Sequence, residues 1–247
     1  MNDMQEHEKS AINSSAILKK TFLRFFFVVV FSIALGYFEA AVVVYLREIF
    51  YPDGFTFPLA VFNIEPQFKN LFLTEFGREA ASLVLIFTGA WLFGSNNRQR
   101  IAYFLTIFAV WDIFYYVWLK VLLGWPVSIM DWDILFLIPI TWASPVLAPV
   151  LCSFIMLLFA VIILFRYSYS RSIQITWLDG FVFSLGALII IVSFCISGSY
   201  TAQSDFKSYF YWPLFATGLL MTIVTFFKCV FKSEHIITET ASVEETV

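Results

Sequence analysis

Residues 111–149 read WDIFYYVWLKVLLGWPVSIMDWDILFLIPITWASPVLAP. The run is apolar and long enough to enter a bilayer, yet it carries Asp112, Tyr115, Tyr116, Lys120, Asp131 and Asp133, and it ends among prolines. Ionisable side chains are expensive in lipid, so a site of some kind is the default reading of such a stretch. Nothing in it names a reaction.

The rest of the chain agrees with a membrane environment. Of 247 residues, 60% are hydrophobic and 13% charged, with mean hydropathy +0.83, which points to an integral membrane protein whose first partner is the lipid bilayer. No nucleic-acid partner is expected. Cys152, Cys195 and Cys229 stand singly in apolar segments, without a CxxC pair, so neither a disulfide framework nor a thiolate metal site is expected. His7 and His235 both lie in polar tails, which removes bis-histidine haem, HExxH hydrolases and Glu-x-x-His di-iron sites from the membrane region. No cofactor is expected. A filter of the TVGYG type, a P-loop and a GxSxG elbow are also missing from the sequence.

Six apolar runs predict an all-α, polytopic protein. The spans fall near residues 22–46, 75–93, 101–123, 145–165, 178–197 and 208–227. Residues 1–18 and 233–247 read as disordered polar tails flanking a transmembrane domain over 19–232. The first span is longer than the roughly 7–15 residues of a signal-peptide core, so it reads as a permanent helix. Pro52, Gly54, Pro58 and Pro66 break the loop that follows it. Residues 134–165 are too many for one helix across roughly 30 Å of hydrocarbon at about 1.5 Å per residue. The prolines predict a short interfacial or re-entrant piece over 133–144, with Pro145 opening the fourth span and Asp133 serving as a cap or first-turn acid.

Lysines and arginines set the orientation. Lys19, Lys20 and Arg24, then Arg98 and Arg100, then Arg166 and Arg171, then Lys228 and Lys232 all fall on one side of a six-span topology. The positive-inside rule puts that side, and both termini, in the cytoplasm of a plasma or inner membrane.

Acids and bases then recur at helical spacing. Glu39, Val43 and Arg47 stand at i, i+4, i+8, as do Asp112, Tyr116 and Lys120, with acid and base about 12 Å apart along each axis. Glu75, Arg78 and Glu79 are expected in the first turn of the second span. These residues predict an ionisable pocket in the extracytoplasmic half, lined by Glu39, Arg47, Arg78, Glu79, Asp112, Tyr115, Tyr116 and Lys120. Its ligand would be a small polar or charged solute, or a lipid headgroup. The bland alternative is a set of packing ion pairs, such as Glu39 with Lys120 or Arg78 with Asp112, with Arg47 and Lys120 snorkelling to headgroups. Asp131 and Asp133 could hold a divalent cation, but a DxD spacing is common by chance and no metal site is expected from it. Trp125, Trp132 and Trp142 read as interface anchors.

Three functions of different class remain open. One is binding or transport of a small solute, with Gly36 and the proline-broken fourth segment allowing discontinuous helices. A second is an enzyme acting on a lipid or lipid-linked headgroup, with Asp112 or Glu39 as general base. The third is a non-catalytic subunit of a membrane complex or a homo-oligomer.

Overall fold

The computed structural model describes residues 2–51, 54–58, 69–169 and 173–244, with side chains between 17 and 232 apart from Lys69 and Phe72. Its elements are α1 (Asn2–Phe50), α2 (Lys69–Phe93), α3 (Asn97–Leu123), β1 (Trp132–Phe136), β2 (Trp142–Pro145), α4 (Leu147–Ser168), α5 (Trp177–Gly198) and α6 (Trp212–Glu244), with a 3-10 turn at Phe206–Tyr209. Six of these helices are long and apolar enough to cross a membrane, so the chain is an all-α polytopic membrane protein. Helical backbone runs back to Asn2 and on to Glu244, over stretches whose polar sequence reads as tails. Pro52, Pro66 and Arg171 lie outside the described residues.

α3 is the hub. It packs against α1, α2 and α4 around Val28, Ile86, Tyr103, Ile107, Trp111 and Leu164. Gly36 lets α1 come close: a Cβ there would stand 2.9 Å from the Trp111 carbonyl oxygen. Gly36 therefore serves close packing within an unbroken α1, not a helix break. The Trp118 indole N–H donates to the Ile33 carbonyl at 3.2 Å across the same seam.

α5 and α6 form a second pair. Gly186 and Gly218 face each other so closely that a Cβ on either would lie 2.9 or 2.7 Å from the other's carbonyl oxygen. Phe159 of α4 stacks on Phe226 of α6 with centroids 3.9 Å apart, joining the pair to the rest. α5 begins in a capping box between Thr176 and Asp179, and the Lys228 ammonium donates to Asp179 at 2.7 Å.

The piece before the fourth span is a two-stranded antiparallel hairpin. Trp132 pairs with Pro145, Asp133 with Ser144, Ile134 with Ala143 and, past a bulge, Phe136 with Trp142. Aromatic and branched side chains suit a pleated, half-buried surface, and the prolines deny a helix its backbone donors. Three expectations are corrected here. Pro145 ends β2 and opens no helix; α4 starts at Leu147, with Val146 and Leu147 donating to the Asp131 and Ile129 carbonyls at 2.9 and 2.8 Å. Asp133 caps nothing and lies buried in β1. Trp132 is no interface anchor either: it is buried against Phe206 and Phe210. The hairpin docks on α5, where Ser197 donates to the Ala143 carbonyl oxygen and Gly198 lies against Thr141 with no room for a Cβ.

Candidate functional site

Between α1, α2, α3 and the hairpin lies a cavity of about 470 Å³. α1 contributes Glu39, Val43, Arg47 and Phe50; α2 contributes Glu75, Arg78 and Glu79; α3 contributes Phe108, Trp111, Asp112, Tyr115 and Tyr116. Spacings of three, four and seven put each set on one helix face. Asp133 and Trp142 of the hairpin, with Cys152 of α4 and Phe194 of α5, complete the wall.

The polar groups are held in two clusters. In the first, Arg78 meets Glu39 at 2.5 Å and grips Glu75 with two guanidinium nitrogens, one of them, Nε, at 2.9 Å. Ser82 donates to the second oxygen of Glu39 at 3.0 Å. In the second cluster, Arg47 donates to Asp133 at 3.1 Å, and the Tyr115 hydroxyl donates to the other Asp133 oxygen at 3.2 Å. The Arg47 guanidinium also lies between the Phe55 and Trp125 rings, 4.1 and 3.9 Å from their centroids. Burial pushes the Asp133 carboxyl above the ordinary carboxylate range, with Arg47 and the Tyr115 hydroxyl opposing it. Burial likewise pushes the Tyr51 phenol at the cavity edge up to about 12.

Two carboxylates stand outside these pairs. Glu79 accepts the Leu137 backbone N–H at 2.8 and 3.1 Å, which ties α2 to the hairpin. Asp112 accepts the Ser153 hydroxyl at 2.8 Å.

Seven of the eight residues expected in the pocket line this one cavity. Lys120 does not: its ammonium is turned to the Gly124 and Pro126 carbonyls at 3.0 and 2.8 Å. The pairings expected of a packing network are corrected as well, since Glu39 pairs with Arg78 instead of Lys120, and Asp112 with Ser153 instead of Arg78. Arg47 is buried and does not snorkel. Glu75, Arg78 and Glu79 sit in the second and third turns of α2, which begins at Lys69. Asp131 and Asp133 diverge, because Asp131 accepts the Val127 and Ser128 N–H groups at 2.7 and 3.0 Å while Asp133 faces Arg47. No group of three metal-ligating side chains gathers among the described residues. Glu75 was read as part of the ionisable cluster but not of the pocket lining, although its i,i+3 pairing with Arg78 was legible; Ser82 and Ser153 were missed, because the serines carry no local signal.

Two arginines, Arg24 and Arg100, mark the other end of the bundle. Arg24 donates to Ser95 at 2.6 Å, and Arg100 lies 3.6 Å over the Trp91 ring, both at the α2–α3 turn. Fold and cavity together define a polytopic helical membrane protein in which a β-hairpin walls a polar chamber. Compared with protein-family models, curated proteins and solved structures, the chain matches none.

Proposed function

We propose that this protein binds, and carries across its membrane, a small polar or charged solute that enters the cavity from the extracytoplasmic side. One observation carries the reading: a chamber of about 470 Å³, within the range of small-molecule sites, brings Glu39, Arg47, Arg78, Glu79, Asp112, Tyr115 and Tyr116 to one apolar-walled space. Most of these groups are already oriented by the bonds described above, which lowers the entropy lost on binding. Arg24 and Arg100 at the far end support placing the cavity outside.

The test is thermal unfolding of the detergent-purified protein against a panel of anionic, zwitterionic and cationic small solutes. A ligand at a hundredfold its Kd stabilises by about 2.7 kcal/mol, which is readily seen. At least one solute class raises the melting temperature of the wild type, and Cys152→Trp, which fills the chamber, abolishes that rise. If no class shifts the wild type, the binding reading fails. For a hit, uptake into proteoliposomes separates transport from binding alone.

A further inference from the structure

We infer that the solute is a small organic cation, an ammonium on an apolar body with an oxygen acceptor, whose charge is received by Asp112 with Glu79 as the second carboxylate. This rests on the binding reading above and narrows it. Five carboxylates line the chamber, those of Glu39, Glu75, Glu79, Asp112 and Asp133, against two guanidiniums, Arg47 and Arg78. Both guanidiniums are taken: Arg47 by Asp133, and Arg78 by Glu39 and Glu75. An anion would have to displace a buried carboxylate from one of them.

The remaining acids have no such partner. Asp112 is met by a serine hydroxyl, and Glu79 by one backbone N–H, with Arg78 acting on it only from beside its own two pairs. Glu79 is 5% exposed, and a carboxylate so enclosed is costly unless a proton or another positive charge joins it. Lys120, the nearest candidate on α3, is turned away.

The walls suit an organic cation better than a bare ion. Trp111, Phe108 and Tyr116 line the chamber near Asp112, and aromatic faces attract ammonium groups. Arg47, held between Phe55 and Trp125, is a cation already bound this way within the same chamber. A metal ion would need more oxygen ligands than converge here, since no such group of side chains gathers among the described residues. Independently of the acids, the Trp111 indole N–H is buried without an acceptor although the residue itself lines the chamber and is nine-tenths buried. A buried donor in that state calls for an acceptor supplied from outside the chain. An ester or ether oxygen next to the ammonium supplies it.

The test compares, on the wild-type protein at matched ionic strength, butyrylcholine, its uncharged carbon isostere 3,3-dimethylbutyl butyrate, and the organic anion hexanesulfonate, with potassium chloride alone as a fourth arm. Butyrylcholine raises the melting temperature, and the uncharged analogue binds at least tenfold more weakly. Asp112→Asn weakens butyrylcholine at least tenfold and Glu79→Gln weakens it less, while both variants unfold cooperatively. Equal shifts from the charged and uncharged esters, a shift from potassium chloride alone, or unchanged binding in Asp112→Asn each overturn the inference. Stabilisation by hexanesulfonate and not by butyrylcholine overturns it too, yet leaves the cavity a binding site. Silence in all four arms, together with silence across the wider solute panel, removes both readings.

Discussion

Arg47 and Asp133 are 86 positions apart in the chain, and their guanidinium and carboxylate meet at 3.1 Å with the residues only 8% and 2% exposed. The pair fastens the end of α1 to β1. It is one of the contacts, with those to Glu79 and Ser197, that set where the hairpin sits over the chamber.

Removing one partner leaves the other buried and unpaired, at a cost of about 3–5 kcal/mol. Arg47→Ala, which strands the Asp133 carboxylate, is expected to lower unfolding stability by that amount in detergent, whereas Arg47→Met combined with Asp133→Leu recovers most of it. A loss below about 1 kcal/mol in Arg47→Ala would show that the hairpin is held without this pair.

The same aspartate gives a pH dependence of known sign. Burial raises its folded-state value above the unfolded one, so the folded chain holds this proton more tightly. Its contribution to stability is fully present below the ordinary carboxylate range, near 4, and is lost as pH rises through the raised value. The slope of melting temperature against pH above 4 should be less negative, or more positive, in Asp133→Asn than in the wild type. Identical slopes in the two proteins would contradict the assignment.

Glu39 and Asp112 should respond in opposite ways. Glu39→Gln breaks an ion pair to Arg78 and strands part of a buried guanidinium, so a loss of about 2–4 kcal/mol is expected. Asp112→Asn removes a carboxylate that faces only a hydroxyl, so stability should stay within about 1 kcal/mol of the wild type or rise. Equilibrium unfolding of the two variants side by side decides between a packing role and a reserved site for Asp112.

Gly186→Ala and Gly218→Ala push α5 and α6 apart, because each new methyl would stand under 3 Å from the facing carbonyl oxygen. Each should cost about 1–3 kcal/mol. Gly77→Ala on α2, where a Cβ meets nothing within 4 Å, is the matched control and should be neutral or slightly stabilising. Thermal unfolding of the three variants reads the difference.

Thr176→Ala removes the hydroxyl that accepts from the Asp179 N–H at 3.2 Å and donates to the Asp179 carboxylate at 2.6 Å. A loss of about 1 kcal/mol is expected, and Thr176→Ser should retain most of the stability. Equal behaviour of the two variants would mean that the cap contributes nothing.

The six spans, their ends to within a few residues and the gathering of Glu39, Arg47, Arg78, Glu79, Asp112, Tyr115 and Tyr116 were readable from order alone. Apolar length and helical spacing are local properties, and a face that repeats every three or four residues is settled before any helix meets another. Gly124, for instance, ends α3 in the left-handed conformation expected after a helix, with φ of 68°.

Partner choice was not readable in the same way. Spacing alone suggested Lys120 as the partner of Glu39 and Asp112 as that of Arg78, and only the placement of α2, which begins at Lys69, brought Arg78 to Glu39. Likewise, residues 133–144 read as a piece that lies along the interface or re-enters, with no local sign of strand pairing. They form a hairpin because Ser197 and Gly198 of α5, Glu79 of α2 and Arg47 of α1 receive it, and every one of those contacts is remote in the chain. Local pattern thus determined the helices and the faces they present. Only the packing of distant segments, through long-range hydrogen bonds and ion pairs that no window of sequence contains, decided which charges are paired and which two of the five carboxylates lining the chamber stand outside the ion pairs.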